Sequence, residues 1–352
     1  MTRPGRLTLG WLLAGLVAVL LAGVAGLALG PVRLNPVAVG AQLLDLVPGV
    51  HLRSGLSERE AAIVTDLRLP RVCLGLLVGA MLATAGATYQ GVFRNPLADP
   101  YLLGVAAGAG LGATAAIALS GSFDAVAVVG GGGTPLAVPL AAFAGALAAV
   151  GLTYALGAST GRYRTPATLI LAGVAVTNFL TAGQLYLQQR YVETIKLVYS
   201  WIMGRLTVAG WHDVLLLAPY ALLAGAVIVV HGRQLDVLSV GDEEARSLGA
   251  QPARTRYVLI LAASLGTAAA VSVSGLIGFV GLIVPHTVRL LAGISYRVIL
   301  PMSMLFGAAF VTLADLASRT LLAPNEIPIG VITAFFGAPF FVVVLRTSRR
   351  IA

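Results

Sequence analysis

The chain predicts an all-α polytopic membrane protein, and three observations point there. Its 352 residues are 58% hydrophobic and only 11% charged, with a mean hydropathy of +0.92. Glycine is abundant, at 42 residues, while lysine occurs once, as Lys196. The apolar runs, each near the ~20 residues that cross a bilayer, number about ten. No polar stretch exceeds roughly 40 residues, too few for an independent soluble core. Residues 1–352 therefore read as one membrane domain.

Span one covers about 7–29, behind Arg3 and Arg6, and its apolar part is too long for a signal peptide. A polar segment over 31–66 follows on the expected outer side and holds the amphipathic stretch Val37–Leu46. Pro70 suits the first turn of span two, about 70–92, with Arg68 and Arg71 snorkelling at its edge. Arg94-Asn95-Pro96 through Asp99-Pro100 is a rigid inner turn held by two prolines. Span three, about 101–119, carries Gly104, Gly108 and Gly112 at spacings of four, a face that admits another backbone. Gly75 and Gly79 do the same on span two.

Spans four and five occupy about 135–156 and 166–187, and spans six and seven about 214–230 and 257–273. Trp201 and Trp211, between spans five and six, have the chemistry of interfacial anchors. Gly275, Gly278 and Gly281 break the chain at the start of span eight, about 277–292. Spans nine and ten cover about 300–316 and 328–345. An even number of spans places both termini in the cytoplasm, and the arginine bias agrees moderately.

The net charge of +9 is spread as single or paired arginines at the ends of apolar runs, which fits a bilayer and not nucleic acid. Cys73 stands alone, so no intramolecular disulfide forms, and it reads as a packing residue. No phosphate-binding loop occurs, because Lys196 follows Glu193-Thr194-Ile195 without a glycine cradle. His51, His212, His231 and His286 are too scattered for metal-ligand spacing. The chain is expected to bind no cofactor and to catalyse nothing by itself. Charges inside spans are nearly missing, whereas ion-coupled carriers keep them despite a cost of ~2.5–3.5 kcal/mol each. Asp315 with Arg319 reads as an i, i+4 ion pair and His286 after Pro285 as packing.

The longest charged interruption runs from Gly232 to Arg256 and is expected in the cytoplasm. Ser239 followed by Asp242 is a capping-box pattern, Asp242, Glu243 and Glu244 fill a first turn, and Gly249 is a stop. Ala245, Arg246 and Leu248 complete this short helix, which is marginal on its own. Two readings stay open on pattern alone: a solvated loop with tidy ends, or a docking helix gripped by a soluble partner.

Several motifs then coincide, in order, over roughly 60–352. They are Arg68-Leu-Pro-Arg71, Gln90-Gly-Val-Phe-Arg-Asn-Pro-Leu-Ala-Asp-Pro100 and Gly241-Asp-Glu-Glu-Ala-Arg-Ser-Leu-Gly249. Gly278-Phe-Val-Gly-Leu-Ile-Val-Pro-His286, Glu326-Ile-Pro-Ile-Gly330 and Gly337-Ala-Pro-Phe340 complete the set. Together they resemble the FecCD (BtuC-like) permeases of ABC importers for iron chelates and vitamin B12. The resemblance implies a ten-span protomer in the bacterial inner membrane that pairs with a second copy of itself. It also implies two cytoplasmic ATP-binding subunits, which carry the ATP and magnesium, and a periplasmic substrate-binding protein.

On that resemblance Gly241–Gly249 is the coupling helix, and Arg68, Arg71 and Arg319 are docking arginines for the binding protein. An inner gate between spans four and five maps to about Thr165–Thr168, and Tyr186 and Arg190 could guide an anionic ligand at the outer end of span five. Two other classes remain: a carrier driven by an ion gradient, and a membrane anchor that transports nothing. The choice among haem, ferric siderophore and cobalamin stays open.

Overall fold

The computed structural model describes residues 7–32, 34–45, 54–119, 136–159, 166–206 and 210–348. Among them the regular structure is helical throughout. The helices are α1 (Leu9–Ala28), α2 (Pro36–Asp45), α3 (Glu58–Ala62), α4 (Leu69–Phe93), α5 (Val105–Leu119), α6 (Ala137–Ser159), α7 (Pro166–Arg190) and α8 (Ile195–Ile202). They continue as α9 (Trp211–Val230), α10 (Gly232–Ser239), α11 (Asp242–Ser247), α12 (Pro252–Ser274), α13 (Val280–Ala292), α14 (Tyr296–Thr320) and α15 (Ile329–Ser348).

Among the described residues, seven helical stretches are long and apolar enough to cross a membrane, and three shorter apolar ones lie at Val105–Leu119, Val280–Ala292 and Ile329–Val342. The seven lie at expected runs one, two, four, five, six, seven and nine, and the three shorter helices lie at runs three, eight and ten. The second begins earlier than Pro70, because a π-helical segment, Ile63–Arg68, joins α3 to α4 without a break. Ser57 starts it: its Oγ accepts from the Glu60 N–H while its own N–H donates to Glu60 Oε2 at 2.9 Å. The capping box is therefore here, in the segment expected to be polar and outside.

α4 is the axis of the fold and is buried along nearly its whole length. A helix meets neighbours on every side only where side chains are small enough to let backbones touch. Gly79 lies against the Gly307 carbonyl of α14, and Gly86 against the Gly281 carbonyl of α13. Gly108 and Gly145 place α5 on α6 in the same way, and Gly112 meets the Ala141 carbonyl. Gly104 departs from the expected stripe: with φ +83° it closes the turn before α5, facing Val176 and Ala149.

The break at span eight is real. α12 ends at Gly275 (φ +68°), and α13 begins after Phe279, itself left-handed at φ +66°. The unwound backbone is tied down as an apolar interior requires. Tyr101 Oη donates to the Ile277 carbonyl at 3.0 Å and accepts from its N–H at 3.3 Å, while the Arg205 N–H donates to the Ser274 carbonyl at 2.8 Å. Trp201, expected as an interfacial anchor, is buried in the core, whereas Trp211 is exposed.

Candidate functional site

The charged interruption is built as a rigid elbow. α10 is seated by Leu235 and Leu238, both fully buried. Its Asp236 accepts from Ser295 Oγ at 2.8 Å and from the Tyr296 N–H at 2.6 Å, so it caps the start of α14. The turn then needs Gly241, whose φ of +133° no residue with a Cβ adopts comfortably, and a Cβ there would also strike the Glu244 carboxylate. Ser239 is not the N-cap that its spacing predicts. It ends α10, and its Oγ donates to the Asp236 carbonyl at 2.6 Å.

α11 stops where Gly249 predicts. The Ala250 N–H bonds the Ala245 carbonyl at 3.0 Å and the Gly249 N–H bonds the Arg246 carbonyl at 2.9 Å, a Schellman closure with Gly249 at φ +78°. Ala245 is the buried residue of this helix, and Glu243, Glu244, Arg246 and Leu248 stand out from it. Leu248 is 69% exposed and Val240 is exposed beside it.

Asp242 clasps the elbow to the body. Arg256 Nη1 and Nη2 donate to it at 2.6 and 2.5 Å, and Arg94, the left-handed residue that ends α4, donates to Oδ1 as well. Arg94 has no sequence signature for this position, although a non-glycine residue closing a helix at φ +50° marks the site once seen. The turn that follows carries Asp99, which accepts from the Tyr101 N–H at 2.8 Å and holds no ion pair among the described residues. Burial raises its carboxyl to about 6, against a smaller lowering by that hydrogen bond.

A second charged cluster lies at the opposite end of α4. Arg71 Nε donates to Asp315 at 2.9 and 3.1 Å, while Nη1 and Nη2 bridge Glu326 at 3.0 and 2.9 Å. Asp315, only 2% exposed, also pairs with Arg319 Nε at 3.4 Å, the i, i+4 pair expected from sequence. Arg68 Nη1 donates to the Leu27 and Ala28 carbonyls at 2.6 and 3.2 Å and Nη2 to Val32. Arg319 Nη2 donates to the Gly26 carbonyl.

The three arginines expected to dock the binding protein, Arg68, Arg71 and Arg319, are all engaged within the chain. They are not free surface cations, since Arg68 and Arg319 are 6% and 4% exposed and Arg71 is occupied by two carboxylates. The physical reason is α1. Its last carbonyls have no helical partners, and two guanidiniums complete them at the negative end of the helix dipole. Gly26 and Gly30 leave the room: a Cβ at Gly30 would sit 2.9 Å from Arg68 Nη2. Those two glycines, four apart at the end of span one, are the signal in the sequence.

The described members of the expected gate and pathway lie at the two ends of α7. Thr165 lies outside the described residues, and Thr168 is half-buried in the first turn of α7. Tyr186 and Arg190 are exposed at the far end of that helix, where the Arg190 guanidinium lies 5.7 Å from the Tyr191 ring. An apolar cavity of about 480 Å³, lined by Met203, Leu276, Val331 and Phe335 among others, opens beside the unwound segment. Pro285 and His286 serve packing, the imidazole meeting Phe340 edge-on at 6.1 Å.

Residues 16–347 match the FecCD transport family. The chain belongs to that family. It is 46% identical over 303 residues to the cobalamin import system permease protein BtuC of Halobacterium salinarum, covering 86% of this chain and 78% of that one. It is 36% identical to the Fe(3+)-citrate import system permease protein YfmD of Bacillus subtilis, covering 89% and 90% of the two chains. Among solved structures, an inward-facing ABC transporter assigned to the metal-chelate type superposes with a TM-score of 0.80 at 28% identity, over 96% of this chain and 98% of that one.

Proposed function

We propose that the chain is the transmembrane permease subunit of a binding-protein-dependent ABC importer that carries a large iron chelate, haem or a ferric siderophore. Cobalamin is the second reading, favoured by the 46% identity to a cobalamin permease. The observation that carries the proposal is α11, a short exposed helix clasped through Asp242 to both α4 and α12. A chain without a phosphate loop needs work delivered from outside, and a rigid elbow between two spanning helices is the part that can receive it.

In this reading ten helices span the inner membrane, both termini and the 232–256 elbow lie in the cytoplasm, and the protein works as a homodimer with two ATP-binding subunits. ATP and magnesium stay on those partners, and the chain itself contacts lipid and no nucleic acid. The binding protein docks at the end that carries Arg71 and Glu326, which form the most solvent-accessible part of that cluster. Closure of the ATP-binding subunits on Glu243, Glu244 and Leu248 swings α11. Asp242 passes the motion to α4, and access alternates along the apolar cavity and the α7 ends that bear Thr168, Tyr186 and Arg190.

The test is ligand uptake into vesicles holding the assembled transporter. The triple variant Glu243→Lys, Glu244→Lys, Leu248→Ala should keep the fold and lose most ATP-driven uptake. Uptake that persists without ATP but follows an imposed ion gradient sinks the proposal in favour of a secondary carrier.

A further inference from the structure

Between α6, α7 and α12, close to the elbow, lies a cavity of about 400 Å³. Its charged lining is of one sign: Arg254 and Arg256 face it, and among the described residues no acidic side chain does. Arg254 is exposed and holds no ion pair among the described residues. Arg256 gives both Nη groups to Asp242, yet its Nε is buried with no hydrogen-bond partner among the described residues. The cavity also touches Ala253 in the first turn of α12, a 23-residue helix whose free N–H groups add positive potential.

The remaining walls are of another kind. Tyr154 and Tyr257 stand edge to face with ring centres 5.4 Å apart, and Leu169 and Ile260 close the site. Next to lining residues in sequence, Leu156 and Leu261 are exposed apolar surface. A free phosphate is much smaller than this volume and gains nothing from apolar walls. A phosphate that carries a hydrocarbon chain uses both parts, with arginine on the oxygens and tyrosines at the boundary.

We propose that this cavity binds the phosphate headgroup of an anionic phospholipid. Naming the leaflet as cytoplasmic rests on the topology proposed above; the binding itself does not. The consequence reaches the elbow, because an anion beside Arg256 competes with Asp242 for the same guanidinium and loosens the clasp on α11. The lipid surroundings would then set how firmly α11 is held.

Native mass spectrometry of the full-length chain, released from micelles with equal phosphatidylglycerol and phosphatidylcholine, tests this. The anionic lipid should be retained at least roughly fivefold over the neutral one, and Arg254→Gln should cut its retention by a similar factor. Arg233→Gln, an exposed arginine of α10 outside the cavity, should leave retention unchanged. Leu169→Trp fills the cavity and should abolish retention with every charge intact; should it fail to fold, the exposed Arg254 variant still decides. Equal retention of the two lipids, or an Arg254→Gln chain that binds like the parent, overturns the proposal. So does displacement of the lipid by millimolar inorganic phosphate, which would make this a site for free anions. The measurement needs no ATP-binding subunit, so its failure and the failure of the importer reading are separable.

Discussion

Each end of α4 carries an arginine that grips an aspartate from elsewhere in the chain, and the two clusters differ mainly in how much water reaches them. Arg71 meets Asp315, which is 2% exposed, whereas Arg94 and Arg256 meet Asp242, which keeps 30%. The two ends are roughly 37 Å apart along 25 residues of helix. In the dry cluster each charge depends on its partners, since removing one strands the others in a low dielectric. Around Asp242 and Arg94, 30% and 38% exposed, solvent replaces a lost partner more cheaply, so the clasp on α11 costs less to open.

Asp315→Ala should be the most damaging change, destabilising the fold by about 3–5 kcal/mol and lowering the yield of folded protein. A loss below about 1 kcal/mol in detergent-solubilised unfolding would erase the distinction between the clusters. Arg68→Met comes next. It takes the partner from the Leu27 carbonyl, costs about 1–3 kcal/mol, and should speed hydrogen exchange at the C-terminal turn of α1 while α12 stays protected.

Asp99 sharpens the comparison because it is a half-buried carboxylate with no arginine. Its carboxyl, raised to about 6, contributes stability that is present below the unfolded aspartate value and lost as pH rises through about 6. Asp99→Asn keeps the acceptor for the Tyr101 N–H without the charge. It should therefore raise the melting temperature at neutral pH, by the equivalent of roughly 1–3 kcal/mol, with the gain disappearing near pH ~4. A gain that persists in acid would rule out the titration. Asp242→Asn has the smallest expected effect on stability, at most about 1 kcal/mol, and that effect should shrink further with added salt. Its signature is functional: less ligand taken up per ATP hydrolysed, at an unfolding midpoint close to the parent's.

Some of this was legible beforehand. Gly249 marked the end of α11 because only a left-handed residue closes that turn, and Gly108 and Gly112 marked a face on which α6 lies. The pattern S-x-x-E or its acidic variant occurs twice, and spacing alone could not choose between them. Ser57 and Glu60 form the box, while Ser239 is drawn into α10 by the packing of Leu235 and Leu238. Of the three arginines expected to meet a partner, Arg68 and Arg319 bind carbonyls of the chain's own α1, and Arg71 binds Asp315 and Glu326.

The sequence by itself determined the long apolar helices, their order, the break near Gly275 and the position of the charged elbow, because each rests on hydrophobic patterning or on a backbone angle that glycine tolerates best. Only the tertiary structure decided which charges are spent internally. Asp315 reaches Arg71 across 244 positions and Arg319 reaches Gly26 across 293. Whether an arginine at a membrane edge faces solvent or a neighbour's unpaired carbonyl depends on how the helices pack, and no local pattern carries that information.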